Sequence, residues 1–270
     1  MRLDKYLTNA GIGTRSQVKK LIKARKVMVS GEIVTDGKVH IDENLAEVSV
    51  NGEAISFKEY EYYMLNKPQG VVSATSDNLH ATVISLIKSS RKKDLFPVGR
   101  LDIDTEGLLL ITNDGEFSHN LLSPKKHVDK TYFAIVLGNV TKEDIELFQK
   151  PMDISGKNDE DKELTKPAKL ILKEVLNYNE LEKLEGGRIK EIISKKLISD
   201  KLVKDETESF SNLEFSLTSL TISEGKFHQV KRMFLKVNKP VVYLKRLSMG
   251  DIVLDPDLKP GEYKEIEINK

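Results

Sequence analysis

The sequence predicts an α+β protein: a small N-terminal module, then a larger domain on a mixed, mainly antiparallel sheet flanked by helices. Three observations carry this. At 270 residues the chain is too long for one small domain and sized for about two. Its first 55 residues hold two helical patterns and then short β-type runs divided by turn signals. From residue 63 onward, strands alternate with a few helices without regular βαβ spacing, which argues against a doubly wound sheet.

Residues 3–10 and 15–25 read as helices. Thr14 is a good N-cap, and Val18, Leu21 and Ile22 form an apolar stripe at helical spacing, leaving Lys19, Lys20 and Lys23 largely on the other side. Strands follow at Val27-Met28-Val29, Ile33-Val34 and 47–50, with turns at Ser30-Gly31, Asp36-Gly37 and Asn51-Gly52. This places a module at 1–56, a linker at 57–62 and a second domain at 63–270. The second domain opens with a strand at Tyr63-Met64-Leu65, a tight turn at Asn66-Lys67-Pro68-Gln69-Gly70, and a strand at Val71-Val72-Ser73. Residues 177–212 are rich in Glu, Lys, Ile and Leu, with a helical segment at 188–202. They read as a helical, charged insertion whose role the sequence does not disclose.

Composition narrows the chemistry. With 39% apolar and 31% charged residues, the chain can bury a sizeable core and keep a soluble surface. Cysteine is absent, which excludes disulfides, thiolate metal sites and cysteine nucleophiles. His40, His80, His119, His127 and His228 show no metal-ligand spacing, so no metal is expected. The N-terminus lacks the apolar core of a signal peptide and no segment approaches membrane-spanning length, so a cytoplasmic protein without membrane partners is expected. The net charge of +1 hides an asymmetry: residues 1–30 carry Arg2, Lys5, Arg15, Lys19, Lys20, Lys23, Arg25 and Lys26 against Asp4. Such a one-signed cluster is a footprint for a polyanion, although a solvated basic face is the plainer alternative.

Three constellations can carry chemistry. Gly99-Arg100-Leu101-Asp102 sets an aspartate beside an arginine, just before the apolar run 108–111. A carboxylate held ionised there is a plausible covalent nucleophile, with a turn or cap aspartate as the alternative. Asp104-Thr105-Glu106-Gly107 reads as a capped turn. In Lys130-Thr131-Tyr132-Phe133, strand alternation lets Tyr132 face away from Phe133 and offer a ring for base stacking, worth about 1–3 kcal/mol per base; a core tyrosine fits equally well. In the run 224–234, Val230, Met233, Phe234 and Val237 form a helical stripe that leaves Lys231 and Arg232 elsewhere on the surface. A lysine there could pair with a catalytic carboxylate. Gln229 could read a base edge or a phosphate, and His228 reads as a satisfied structural histidine.

In order and spacing these sites resemble the bacterial pseudouridine synthases of the small-subunit rRNA type, the RsuA family. Met1-Arg2-Leu3-Asp4-Lys5-Tyr6-Leu7 and the helix from Ser16 resemble a small αL-type RNA-binding module first known from a ribosomal protein. Met64-Leu65-Asn66-Lys67-Pro68-Gln69-Gly70, Gly99-Arg100-Leu101-Asp102 and the 225–234 helix match the family's motifs, and the ending 247–263, with Gly250, Leu254, Pro260 and Gly261, also fits.

The resemblance implies Asp102 as nucleophile, Tyr132 stacked on the target base and Lys231 paired with Asp102. Arg100 and Lys67 are implied as supports of the site or phosphate contacts. Gln229, Arg232, Arg2, Arg15, Lys19, Lys20 and Lys23 complete the expected RNA contacts. No cofactor is implied, and a monomer acting on ribosomal RNA is expected. The implied substrate is a uridine of 16S rRNA, of the uridine-516 type. Asp161-Lys162-Glu163-Leu164-Thr165-Lys166-Pro167-Ala168 favours that small-subunit target, whereas Asp104-Thr105-Glu106-Gly107 is equally at home in relatives acting on 23S rRNA. A rival of another class is a non-catalytic assembly factor that binds rRNA through residues 1–55. Two departures from the family stand out: the 177–212 insertion, and Phe227 where tyrosine is frequent.

Overall fold

A computed structural model describes residues 1–42, 45–55, 60–89, 92–156, 162–203 and 210–268. The chain forms two compact units, Met1–Glu61 with Ile87–Leu95, and Tyr62–Leu86 with Phe96–Lys270.

In the first unit, α1 (Leu3–Asn9) and α2 (Arg15–Lys23) precede β1 (Val27–Val29), β2 (Glu32–Ile33), β3 (Val48–Val50) and β4 (Glu53–Ile55). The strands pair in the order β2-β1-β3-β4. Helix α2 starts where Thr14 and Gln17 exchange hydrogen bonds in a capping box, which satisfies backbone N–H groups that a helix start leaves free. Val18 and Ile22, one turn apart, join Leu3, Tyr6, Leu7 and Val27 in the module's core. The register that buries this stripe leaves Arg15, Lys19, Lys20 and Lys23 exposed. Strand β4 has no counterpart in the sequence reading. It follows from Asn51-Gly52, whose positive φ angles make the tight turn that folds β4 back on β3.

The second unit is built on β5 (Tyr62–Lys67), β6 (Phe96–Pro97), β7 (Glu106–Thr112), β8 (Lys130–Leu137), β9 (Lys169–Asn177), β10 (Glu214–Ile222), β11 (Val241–Met249), β12 (Ile252–Val253) and β13 (Tyr263–Glu265). Its long path runs β13-β5-β7-β11-β8-β10-β9, with β12 on β11 and β6 on β7. Neighbours are antiparallel except β7 and β11, which are parallel. Every residue of β7 is buried, as expected of a strand covered on both faces. At the parallel junction Gly107 opposes Arg246, and a Cβ on Gly107 would fall 2.2 Å from the Arg246 carbonyl oxygen. With φ of +103°, that position favours glycine on both counts.

The flanking helices are α3 (Gly115–Leu122), α4 (Lys142–Phe148), α5 (Arg188–Ser199) and α6 (Gln229–Lys236). Helix α5 lies in the connection between β9 and β10, within the segment read as an insertion. It is no loose decoration: Ile189, Ile193 and Leu197, one turn apart, are buried against Ile135, Phe215, Leu217 and Tyr243 of the sheet. Among the described residues no helix is long and apolar enough to cross a membrane.

Three readings are corrected. Asn66 and Lys67, taken as turn residues, end strand β5, which begins already at Tyr62 inside the expected linker. Residues 57–59 of that linker, 204–209 of the insertion and Asp161 lie outside the described residues. Val71-Val72-Ser73 forms no strand; Val72 makes an isolated bridge to Thr82. Here the chain bends so that the Ser73 hydroxyl can reach the backbone of Leu101.

Candidate active site

The site is a short loop held from behind by backbone contacts, which leaves its carboxylates to meet cations. Ser73 Oγ accepts from the Leu101 N–H at 3.0 Å and donates to the Leu101 carbonyl at 2.9 Å. The Gly70 N–H donates to the Ile103 carbonyl at 2.8 Å, and the Thr105 N–H closes a turn on the Asp102 carbonyl at 3.1 Å. Lys67 completes the cradle. It is fully buried, and its ammonium donates to the carbonyls of Pro68 at 2.9 Å, Ile103 at 3.4 Å and Thr105 at 3.0 Å. An ammonium has three protons and nothing to accept with, so three carbonyls satisfy it. Burial pushes Lys67 down to about 8, against the pull of Asp104, Asp102 and Glu106. This geometry assigns Lys67 to supporting the loop and contradicts a phosphate contact, since the ammonium does not reach solvent.

On the open side, Lys231 Nζ of α6 lies 2.8 Å from Asp102 Oδ2 and 2.5 Å from Asp104 Oδ1. One lysine thus bridges two carboxylates. It can do so because α6 buries Val230, Met233 and Phe234, which leaves Lys231 on the flank of the helix beside the loop. Asp104 also takes Lys196 of α5 at 2.9 Å on Oδ2. Burial alone would raise the Asp104 carboxyl, but hydrogen bonds from Lys231 and Lys196 outweigh it and hold the group at about 2. The third acid, Glu106, is almost wholly buried and receives a two-pronged pair from Arg188, both contacts 2.8 Å, and the Tyr243 hydroxyl at 2.7 Å. Burial opposes its charge, yet Arg188 and Tyr243 keep it below the usual glutamate range. The Asp104-Thr105-Glu106-Gly107 run is therefore not a capped turn. Asp104 and Glu106 are ion-pair acceptors, Glu106 opens β7, and Thr105 Oγ1 is buried without a partner among the described residues.

His228 was read as structural, but its Nε2 stands 3.4 Å from Asp102 Oδ1. It holds a left-handed backbone conformation just before α6, and its ring stacks on the exposed Phe227 at 3.8 Å. A signal for this lay in the sequence. A histidine three residues before Lys231 stands one helical turn from it, so what Lys231 touches His228 can approach.

Tyr132 is 8% exposed and lies on β8, paired with Leu220 of β10 and Arg246 of β11. Its neighbour Phe133 packs on the other face, edge-on to Tyr243. Strand β11 separates β8 from β7, and among the described residues no hydrogen bond or ring contact joins Tyr132 to Asp102. Arg100 is exposed, with no ion pair among the described residues, and is open to an anion.

Two further expectations fail on geometry. Gln229 is buried, its amide oxygen accepting from the Lys226 N–H and its amide nitrogen donating to Glu224, both at 2.9 Å. It organises the start of α6 and presents nothing to a base. The Arg232 guanidinium is engaged by Glu163 at 2.6 Å and by the Ile154 and Phe227 carbonyls. It anchors α6 rather than meeting a phosphate. In the first unit Arg2 grips Asp4 with two hydrogen bonds, of 3.0 and 2.6 Å, whereas Arg15, Lys19, Lys20 and Lys23 make no ion pair among the described residues.

No group of three or more His, Asp or Glu able to hold a metal occurs among the described residues. The arrangement offers a carboxylate with a cation on one oxygen and an imidazole near the other. That can serve as nucleophile or base toward a sugar carbon.

Comparisons with known proteins agree with this architecture. Residues 61–236 match the RNA pseudouridylate synthase family, and residues 1–45 match the S4 domain. The uncharacterized RNA pseudouridine synthase YtzG of Bacillus subtilis is 43% identical over 267 residues, 98% of this chain and 95% of that protein. The ribosomal small subunit pseudouridine synthases A of Haemophilus influenzae and Escherichia coli are 35% and 34% identical, each over 98% of this chain and 96% of its relative. A crystal structure of a pseudouridylate synthase superposes with a TM-score of 0.57 at 34% identity, covering 99% of this chain and 96% of that one. The chain belongs to the RsuA family of RNA pseudouridine synthases.

Proposed function

We propose that this enzyme isomerises one uridine of 16S ribosomal RNA, at a site of the uridine-516 type, with Asp102 as the reacting carboxylate. The single observation that carries the assignment of Asp102 is its 2.8 Å pairing with Lys231 on a loop fixed by Ser73, Gly70 and Lys67. The choice of RNA draws on the relatives named ribosomal small subunit pseudouridine synthase A.

The target nucleotide must first leave its stack, at a cost of about a few kcal/mol. An extruded base, unlike a surface-bound one, can meet the buried ring of Tyr132. Asp102 then attacks C1′, or removes the C2′ proton, as the bond between uracil N1 and C1′ breaks. The uracil turns and C5 bonds to C1′ as the ester bond to Asp102 breaks or, on the other route, as Asp102 returns the proton to C2′. Loss of the C5 proton and gain of one at N1 complete an isomerisation with no net change of atoms or electrons. Lys231, 2.8 Å from Asp102 Oδ2, holds that carboxylate in place. Arg100, near Asp102 and exposed, meets the RNA backbone, and the basic face of α2 binds RNA.

The test is carbodiimide mapping of both ribosomal RNAs from cells lacking the gene, with complementation by wild type and by Asp102→Asn. One stop in 16S rRNA should vanish on deletion and return with wild type alone. A lost stop in 23S rRNA would move the target, full modification by Asp102→Asn would remove its role, and unchanged maps would favour the non-catalytic assembly factor.

A further inference from the structure

We propose that Lys196, on the helix inserted between β9 and β10, is a positioning residue for the reaction: by occupying one oxygen of Asp104 it keeps Lys231 shared with Asp102. The inference rests on Asp102 as the reacting carboxylate. It concerns a segment of the chain to which the motifs assign no role.

The geometry is a chain of alternating charges. Lys196 Nζ stands 2.9 Å from Asp104 Oδ2, Lys231 Nζ 2.5 Å from Asp104 Oδ1, and the same Lys231 Nζ 2.8 Å from Asp102 Oδ2. Asp104 and Asp102 compete for one ammonium. With Lys196 in place, Asp104 has a single oxygen left for Lys231, so another proton of that lysine remains for Asp102. Without Lys196, both oxygens of a half-buried carboxylate turn to Lys231 and draw it from the reacting group.

Helix α5 is built to deliver this contact. Arg188, two turns before Lys196, forks onto Glu106, two residues after Asp104. Ile189, Ile193 and Leu197 pin the adjacent stripe of the helix into the core. Asp200, one turn on, lies 3.0 Å from Lys196 and limits its swing. The helix therefore grips the loop at two acids, and its packing fixes where Lys196 can reach.

The test measures single-turnover and steady-state kinetics of the full chain on unmodified small-subunit rRNA. Lys196→Met should lower kcat about tenfold with KM for RNA unchanged, and Lys196→Arg, which keeps the charge, should recover most of the loss. In an Asp104→Asn background, Lys196→Met should cost nothing further, because the lysine acts through that carboxylate. Should Lys196→Met not fold, Lys196→Gln carries the same comparison. A wild-type kcat in the Met or Gln variant, or an equal loss with Asp104→Asn already present, overturns the inference. Near wild-type turnover in Asp102→Asn is a different result: it removes the reading of Asp102, and the inference falls with it.

Discussion

The lysines of α2 and the lysines around Asp102 are the same residue in opposite settings. Lys19, Lys20 and Lys23 stand exposed on one side of a helix whose other side is core, and among the described residues they make no ion pair. Lys67, Lys196 and Lys231 are buried or half-buried, each committed to named oxygens. Exposed charges act at long range and yield to salt. Enclosed ones fix geometry and are costly to unpair. On the proposed function, the exposed lysines serve to find the RNA and the enclosed ones to act on it, a division set by how much water each lysine keeps.

The contrast can be broken most sharply at Lys231. Lys231→Met should lower kcat by about a hundredfold or more while RNA affinity stays within about twofold, since the proposed mechanism sets the ammonium at the reacting carboxylate. A gel-shift titration beside a rate measurement checks both halves. A comparable loss of affinity would show that this lysine also binds RNA.

A smaller effect is expected from replacing Lys19, Lys20 and Lys23 together with alanine. Affinity near 0.1 M salt should fall about tenfold, and the slope of log K against log salt should flatten by about two, because fewer counterions are released. The kcat at saturating RNA should not move. An unchanged slope would mean that α2 stays clear of the phosphates.

The smallest expected effect sharpens the comparison through pH. The folded Asp104 carboxyl sits at about 2, below its ordinary 3.8. Its stabilising contribution is therefore complete above 3.8 and lost as pH falls through about 2. The melting-temperature gap between wild type and Asp104→Asn should be constant near neutrality and narrow across that acid window. A gap that persists below pH 2 would mean that the pairing with Lys231 and Lys196 contributes nothing.

Much of this was legible in the sequence, for identifiable reasons. Periodicity exposed α2, because Val18 and Ile22 must face a core and the lysines then cannot. The pairing of Asp102 with Lys231, 129 positions apart, was readable only because the motifs resemble a known family. Local reasoning failed where a side chain's partner came from far along the chain. Asp104 and Glu106 have the composition of a capped turn, and nothing nearby announces that Lys196 and Arg188 will reach them. Gln229 and Arg232 failed for a related reason. Polar residues on a basic helix suggest a ligand, but here Glu224, Glu163 and backbone carbonyls had already taken them. Lys67 was misplaced because proline and glycine after it suggested a turn, while its own backbone continues the strand.

Gly107 carries a consequence for how such a chain matures. Its missing side chain lets β7 lie against β11, a strand that emerges from the ribosome more than 130 residues later. Until that late segment is synthesised, Glu106 lacks the Tyr243 hydroxyl and β7 lacks its parallel neighbour. Long-range closure of this kind comes late in folding. A polypeptide that ends before β11 therefore leaves one side of β7 uncovered and Glu106 short of one partner.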